Sequence, residues 1–379
     1  MRVLHVSDTH IGYSAYSRLT EQGLNQREQD FFNTFREAID VAIREKVDLV
    51  LHSGDVFDSV RPSNRAVSFA MEELTRLSRA NIPFLTIAGN HEAPKLRETG
   101  SVLRFFEFIP GCQAVYKGRY EVVRFGDVAF HCVPHVMNQD EFLLELQKAA
   151  PDPSAKRNVL VLHGGVVGVA DFRTGEFNEL TIPASATEGP WDYVALGHYH
   201  KCVTVGPRAW YAGSTERSSF KEWEEPKGVL LVDLAKPDAT PRFIPLAARP
   251  MVNLKPLQCS ELAPLEIPSA LHKRVSEAEA KGAIVRLVVR DIPRSVYGNL
   301  DFAALRKATE GAVHFHIQYE IAEENDAAPG SSHAIGGMAE EFETFVDVTP
   351  VAGVDKARLK ERGLQFLAEA TASTGGGEE

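Results

Sequence analysis

Five short polar motifs, each placed at the end of an apolar run, restrict the fold of this sequence more than any other feature. The motifs are Asp8-Thr9-His10, Gly54-Asp55, Gly89-Asn90-His91-Glu92, His163-Gly164-Gly165 and Gly197-His198-Tyr199-His200. The runs that precede them are rich in Val, Leu and Ile and span residues 3–6, 47–51, 83–88, 159–162 and 193–196. Short apolar runs closed by turn residues are typical of buried strands. Strands that end in polar side chains can bring those side chains to one edge.

Segments with helical periodicity separate the first three runs. In the first segment, apolar residues recur at steps of three and four, at Phe32, Phe35, Ile39 and Ile43. Residues 62–80 predict a second helix behind a proline start. Alternating strands and helices predict an α/β core, with the polar motifs just beyond the strand ends.

The motifs supply Asp, His and Asn side chains. This mixture of donors suits Mn²⁺, Fe or Zn²⁺ better than Mg²⁺ or Ca²⁺, which prefer oxygen alone. The candidate groups suffice for two ions, because one carboxylate can bridge a pair about 3.5–4 Å apart. Such a pair activates water for attack on phosphorus and neutralises phosphate oxygens. A single Asp-x-His is usually a capped turn or a core histidine, whereas five motifs in this order favour a metal site.

Further residues indicate a particular family. They are Gly54-Asp55-Val56-Phe57-Asp58 with Arg61-Pro62-Ser63, the pair Arg27 and Asp30, and Tyr211-Ala212-Gly213-Ser214-Thr215-Glu216-Arg217 with Ser219-Phe220. With these residues the sequence resembles the calcineurin-like metallophosphoesterases. Within them it resembles the SbcD family, the nuclease subunit of a double-strand-break repair complex. The resemblance covers about residues 1–245.

The resemblance implies a metallophosphoesterase β-sandwich flanked by helices, a small α/β capping domain and a C-terminal helical segment that binds a partner. The expected domains are the nuclease domain (1–245), a capping, DNA-binding domain (250–321), a flexible linker (322–337), a helix-loop-helix that binds an ATPase (338–371) and a disordered tail (372–379).

The resemblance also implies roles for single residues. One ion is expected on Asp8, His10, Asp55 and His200, and the second on Asp55, Asn90, His163 and His198, with Asp55 as the bridge. His91 is expected beside the scissile phosphate, where it stabilises or protonates the leaving oxygen. A histidine suits this task because its ordinary pKa lies near neutrality. The candidate substrate contacts are Asp58, Arg27 and Arg217. Asp58 stands where archaeal and eukaryotic relatives usually carry a second catalytic histidine.

Composition sets broader limits on partners and location. The formal net charge is −11, but residues 321–379 carry 12 acidic and 4 basic side chains, or −8, which leaves −3 for residues 1–320. A chain without a basic face is not expected to bind DNA tightly without help. No run approaches about 20 apolar residues, so we expect neither a membrane span nor a signal peptide. The four scattered cysteines fit a reducing cytoplasm.

The C-terminal region changes character after residue 321. Residues 322–337 are rich in Glu, Ser, Ala and Gly and predict a flexible linker. Two short amphipathic helices follow, the second behind Asp355 as an N-cap. Their apolar stripes contain Phe342, Phe345, Leu359, Phe366 and Leu367. Helices of this length dock on their own protein or on a partner. The resemblance favours a partner, the coiled-coil base of an SbcC-type ATPase.

The function expected from the resemblance is a DNA exonuclease and endonuclease that uses two divalent ions, Mn²⁺ first and Fe or Zn²⁺ as alternatives. The expected partners are DNA, the SbcC-type ATPase and a second copy of the chain, with residues 62–80 as the candidate dimer face. Two alternatives stay open. One is a phosphodiesterase of small nucleotides, and the other is a mainly structural subunit of the ATPase complex.

Overall fold

The expected apolar runs form neighbouring strands in the computed structural model of the protein. The structure describes residues 1–93, 100–168, 179–236, 238, 240–278, 280–322, 342–343, 345–346 and 355–374. Residues 1–322 form one compact unit and residues 323–379 form another. Most of the expected linker, at 323–337, lies outside the described residues. In the described part of the chain, no helix combines the length and apolar character that a membrane span needs.

The helices are α1 (Gln26–Glu45), α2 (Asn64–Arg79), α3 (Gln139–Leu146), α4 (Ala184–Thr187), α5 (Ile267–Ser276), α6 (Arg294–Tyr297), α7 (Phe302–Thr309) and α8 (Lys356–Thr374). The strands of the first half are β1 (Arg2–Val6), β2 (Leu49–His52), β3 (Phe84–Ile87), β4 (Cys112–Val115), β5 (Glu121–Phe125), β6 (Val128–Val133), β7 (Arg157–His163), β8 (Gly165–Val166) and β9 (Thr181–Ile182). The remaining strands are β10 (Tyr193–Gly197), β11 (Val203–Thr204), β12 (Ala209–Tyr211), β13 (Gly228–Asp233), β14 (Arg242–Pro245), β15 (Met251–Asn253), β16 (Leu257–Gln258), β17 (Ile284–Ile292) and β18 (His314–Ile321).

Two six-stranded sheets form a sandwich. Their strand orders are β14-β13-β1-β2-β3-β4 and β11-β12-β10-β7-β6-β5. Apolar side chains from both sheets share one buried cluster, including Leu51 and Leu85 from one sheet and Val161 and Ala195 from the other. Helices α1 and α2 cover the outer face of the first sheet through Phe35, Phe69 and similar residues. The expected β-sandwich flanked by helices is therefore confirmed.

Parallel pairing places the strand ends together. In the first sheet β1, β2 and β3 run parallel, and Val6 lies opposite His52. In the second sheet β7 and β10 run parallel, and His163 lies opposite Gly197. The carboxyl ends of β1, β2 and β3 therefore share one edge of the first sheet, and those of β7 and β10 share one edge of the second. Polar residues that follow the two edges lie close together, as Asp55, His163 and His198 do.

A small α/β unit follows β14. Its sheet has β17 at the centre, paired in parallel with β15, β16 and β18. Helices α5 and α7 pack on this sheet through Leu271 and Leu305. These elements lie within residues 250–321, and the structure includes them in the same compact unit as the sandwich. Their expected role as a separate capping, DNA-binding domain stays a prediction.

Several predicted bounds need correction. Helix α2 begins at Asn64 rather than at residue 62. Ser63 is its N-cap, because the Ser63 hydroxyl accepts the Ala66 N–H. Helix α8 begins after Asp355 as expected, since the Asp355 carboxylate accepts the Ala357 N–H at 3.0 Å. However, α8 continues to Thr374, so residues 372–374 do not belong to a disordered tail. Residues 375–379 lie outside the described residues.

Candidate metal centre

The expected ligands leave their strands through strained turns. Asp8, His10, Asp55 and His198 all have positive φ, at 50°, 41°, 59° and 98°. This left-handed conformation is uncommon for residues other than glycine, and each instance costs of the order of 1–3 kcal/mol. Four such residues at one edge show that the backbone there is held in unfavourable conformations in order to aim side chains.

The first ligand group contains Asp8, His10 and His200. One ligand atom from each lies within 4.8 Å of the others. The two imidazoles meet through Nε2, 3.1 Å apart. The Asp8 carboxylate is held by the backbone N–H of His198, at 2.9 and 3.1 Å from its two oxygens. Two imidazole nitrogens and a carboxylate at this spacing can ligate one cation.

The second group contains Asp55, His163 and His198, also within 4.8 Å. The Asn90 Oδ1 lies 2.9 Å from His163 Nε2 and 3.1 Å from His198 Nδ1. His163 donates from Nδ1 to the Ser53 carbonyl at 2.8 Å, which leaves Nε2 to face the centre. The structure thus brings together all four residues expected at the second ion.

Asp55 lies between the two groups. Its Oδ2 is 3.2 Å from His163 Nε2 and 4.0 Å from His10 Nε2. The carboxylate is 2% exposed. Asp55 therefore lies where one carboxylate can be shared by the two ligand groups.

The electrostatic environment of Asp55 and His163 favours positive charge. Burial alone would raise the pKa of Asp55, but neighbouring His163 holds it well below its usual range. For His163, burial would lower the pKa, and the Asp55 and Asp8 carboxylates instead raise it to about 9. The negative potential that favours a proton on His163 equally favours a bound cation.

One buried atom also fits a metal site. Within the described residues, His10 Nδ1 is a buried nitrogen without a hydrogen-bond partner. The closest carboxylate oxygen, Asp58 Oδ1, lies 3.5 Å away. When a histidine binds a metal through one ring nitrogen, the other ring nitrogen commonly donates its hydrogen to a carboxylate at such a position. The donor set and this geometry fit two divalent cations.

His91 lies beside both groups. Its backbone N–H donates to Asp55 Oδ1 at 3.0 Å, and its Nδ1 lies 2.8 Å from the Asp58 carbonyl oxygen, to which it donates. The ring centroid is 4.6 Å from that of His10. His91 also forms a compact group with His10 and Asp55. Its role as a residue acting on the leaving group, rather than as a ligand, stays a prediction.

Sequence reasoning missed several carboxylates that support the ligands, among them Glu92 and Glu179. Glu92 is fully buried and accepts the backbone N–H groups of Gly89, Asp55 and Phe57 at 3.0, 3.2 and 2.8 Å. Burial raises the pKa of Glu92 to about 7. Glu179 Oε1 lies 3.3 Å from His198 Nε2. Only the position of Glu92 directly after Asn90 and His91 could have drawn attention to it.

The candidate substrate contacts have different environments. Asp58 is 33% exposed and borders His10, as a substrate contact would. The Arg217 guanidinium donates to the carbonyls of Glu222, Arg249 and Glu225. Arg27 is 1% exposed. This burial does not support the substrate contact expected for Arg27, and it indicates a structural role.

Arg27→Met is expected to destabilise the fold by about 3–5 kcal/mol, because it leaves buried Asp30 and Glu216 without this partner. Urea unfolding measures the change. Arg65→Met is the matched control, because Arg65 is 54% exposed and its pair with Glu28 contributes only about 0–1 kcal/mol. Unchanged stability with weaker DNA binding would restore Arg27 as a substrate contact.

Gly89→Ala is expected to disrupt the centre without breaking the core. A Cβ at Gly89 would lie 2.1 Å from Asp55 Oδ1, so the bridging carboxylate would have to move. Metal affinity should fall by at least roughly 10–100-fold, the loss typical when support of a ligand is disturbed. Calorimetric titration with Mn²⁺ measures it. In the control Gly206→Ala, the closest atom is 3.7 Å away, at Ala209. Equal metal affinity in the two variants would contradict this account of Asp55.

Comparison with known proteins agrees with this geometry. Residues 1–202 match the family model described as calcineurin-like phosphoesterase. The chain is similar to proteins described as DNA double-strand break repair protein Mre11. The one from Sulfolobus acidocaldarius is 32% identical over 62% of this chain and 61% of its own length. Those from Thermoplasma acidophilum and Haloferax volcanii are 31% and 32% identical, over 66% and 76% of this chain and 67% and 61% of their own lengths. The chain spans about three fifths of the first relatives that it matches.

Proposed function

Because the chain belongs to the calcineurin-like phosphoesterase family, we propose that it is a two-metal DNA nuclease with exonuclease and endonuclease activity. The observation that carries the proposal is the convergence of two ligand groups on Asp55. The similarity to Mre11 repair proteins supports DNA as the substrate.

In this proposal the residues of the centre are metal ligands and one proton donor. Asp8, His10 and His200 would hold one cation, and Asn90, His163 and His198 the other, with Asp55 between them. The chemistry that a bound pair supplies is neutralisation of phosphate charge and activation of water. His91 would donate a proton or a hydrogen bond to the leaving oxygen. Its Nδ1–H is engaged by the Asp58 carbonyl, and Nε2 is the nitrogen proposed to act on the substrate.

Mn²⁺ is the proposed metal, with Fe or Zn²⁺ as alternatives. The support is the balance of donors, four imidazoles with two carboxylates and one amide oxygen. Ca²⁺ and Mg²⁺ prefer oxygen donors, whereas imidazole suits the transition metals.

Cleavage of DNA must be separated from hydrolysis of small nucleotides. The test is turnover of a supercoiled plasmid and a single-stranded oligonucleotide beside a panel of cyclic nucleotides and dinucleotides, all with Mn²⁺. We expect nicking and shortening of DNA and little turnover of the panel. Fast hydrolysis of the panel with intact DNA would instead support the small-nucleotide alternative. A ligand variant that still restores repair in cells would support the structural-subunit alternative.

A coiled-coil ATPase of the SbcC type is the proposed partner of residues 338–371. Within this region Phe345 and Phe366 are 62% and 57% exposed. Leu359 and Leu367 are half-buried. Phe342 is different, because its ring lies against Gly363, where an added Cβ would come within 2.2 Å of it. Two exposed aromatic rings on helical segments support a docking surface, and Phe342 instead joins those segments to each other.

Phe345→Glu combined with Phe366→Glu is expected to abolish co-purification with the ATPase. Burying each ring should contribute about 1.5–3 kcal/mol, so loss of both weakens binding by roughly 100-fold or more. Metal-dependent cleavage of short single-stranded DNA should persist. Gln365→Glu is the control, since it adds a charge to α8 and removes no aromatic ring. A double variant that binds the ATPase normally would move the partner site elsewhere.

A homodimer and a cytoplasmic location complete the proposal. Residues Val102–Phe108 form a 3₁₀ helix packed beside α2, and Phe105 and Phe108 are 49% and 72% exposed there. These exposed rings support a self-association face near α2. All four cysteines are free thiols in the structure, which supports a reducing compartment.

A further inference from the structure

A buried ion pair lies directly behind one of the expected metal ligands. His200 Nδ1 is 3.2 Å from Glu222 Oε1. The other oxygen of that carboxylate, Oε2, accepts from Lys227 Nζ at 2.6 Å. Both residues belong to the segment between β12 and β13, which the five metal motifs do not include.

Lys227 uses its whole ammonium group at this position. Besides Glu222, Nζ donates to the Ser214 hydroxyl at 2.8 Å and to the His200 carbonyl at 2.9 Å. Lys227 is only 2% exposed. It therefore holds His200 twice, through the main chain and, by way of Glu222, through the ring.

The contact with Glu222 determines which ring nitrogen of His200 carries hydrogen. A carboxylate flanked by an ammonium group can only accept, so Nδ1 must donate to it. Nε2 then carries the lone pair, and it is Nε2 that faces His10 Nε2 at 3.1 Å. A ligand histidine needs this tautomer and this ring orientation.

We propose that Glu222 and Lys227 are positioning residues for His200, which hold its imidazole in the tautomer and orientation that bind the first cation. This inference rests on the two-metal part of the proposed function and not on DNA as the substrate. Stability alone does not account for the arrangement, because an apolar pair of similar volume often stabilises a buried position at least as well as an ion pair.

Glu222→Gln separates positioning from simple charge loss. A Gln amide presents one acceptor and one donor. If its oxygen accepts from His200, its NH₂ group faces the Lys227 ammonium, and if it turns over, the NH₂ group favours the wrong tautomer of His200. Lys227→Met removes the ammonium group that opposes this NH₂ group. The Gln oxygen can then accept from His200 without that repulsion. The double variant should therefore recover part of the metal affinity that Glu222→Gln loses.

The experiment is calorimetric titration of the chelator-stripped full chain with Mn²⁺, with electron paramagnetic resonance of the loaded protein. The wild type should bind two equivalents as a magnetically coupled pair. Glu222→Gln and Lys227→Met should each weaken one equivalent by roughly 10–100-fold. At one equivalent of added Mn²⁺ they should show an isolated ion. Lys201→Met is the control, because Lys201 makes an ion pair with Glu225 in the same region at 2.8 Å while 47% exposed, and it should bind as the wild type does.

Two results would overturn the inference. One is unchanged affinity for both equivalents in both single variants. The other is a double variant whose loss equals the sum of the single losses, since the two residues would then act independently. If either single variant fails to fold, Ser218→Ala replaces it, because the Ser218 hydroxyl donates to Glu222 Oε1 at 2.7 Å near the surface. A smaller loss at one equivalent is expected there, and no loss would equally contradict the inference. Absence of DNA cleavage by the wild type would overturn the proposed substrate but leave these metal measurements unaffected.

Discussion

His200→Ala and Asp55→Asn are each expected to abolish metal-dependent DNA cleavage. The first removes an imidazole whose Nε2 faces His10 at 3.1 Å, so the first ion loses a ligand. The second weakens the only described carboxylate whose oxygen lies within 4.0 Å of imidazoles from both groups. In the proposed two-ion centre, both ions would stabilise the attacking and leaving oxygens, so loss of one should be as damaging as loss of both.

Initial rates on an end-labelled oligonucleotide in saturating Mn²⁺ measure this effect. The controls are His272→Ala and Asp127→Asn, which make the same chemical changes on the surface. DNA binding by the two ligand variants should stay within a few-fold of the wild type. Turnover close to the wild-type rate in either variant would contradict the assignment of two ions.

His91→Asn should slow cleavage by roughly 10²–10⁴-fold while both ions stay bound, since general acid catalysis contributes about that much. The asparagine keeps the backbone N–H that donates to Asp55 Oδ1, so the bridging carboxylate keeps this support. The measurements are single-turnover rates together with metal content by elemental analysis.

Metal content distinguishes the two roles of His91. Its position within the group formed with His10 and Asp55 is also compatible with ligation. Loss of one equivalent of metal in His91→Asn would make His91 a ligand, and its role on the leaving oxygen would be wrong.

The strands and the polar residues that follow them could be predicted from the sequence. Short apolar runs locate strands because a buried strand needs little more than β-branched and aliphatic side chains. The polar residue after each run then marks a strand end. The parallel pairing of β1 with β2 and of β7 with β10 brings those ends together, so the seven expected ligands meet.

Support for the ligands could not be read in the same way. Glu92 acts through three backbone N–H groups, and such a role depends on turn geometry rather than on residue type. Lys227 is separated from His200 by 27 residues. In the sequence alone it cannot be distinguished from an ordinary surface lysine. Buried charges become recognisable only when their partners are known.

Arg27 shows a different difficulty. Because it is an arginine in the first turn of α1, the sequence alone suggests that it is exposed. In the fold it is covered by Glu216, which lies 189 residues away in the chain. Long-range pairing thus places Arg27 among the buried residues, which its position in the sequence does not reveal.

DNA cleavage as a function of bound metal tests the two-ion mechanism directly. The chelator-stripped protein is incubated with single-stranded and double-stranded DNA, and Mn²⁺, Fe²⁺, Zn²⁺ or Mg²⁺ is added back while bound metal is counted. We expect no cleavage in chelator and little with one equivalent bound. Full cleavage is expected when a second Mn²⁺ binds, as a two-ion mechanism requires. Cleavage that persists in chelator, or that is complete with a single bound ion, would contradict it.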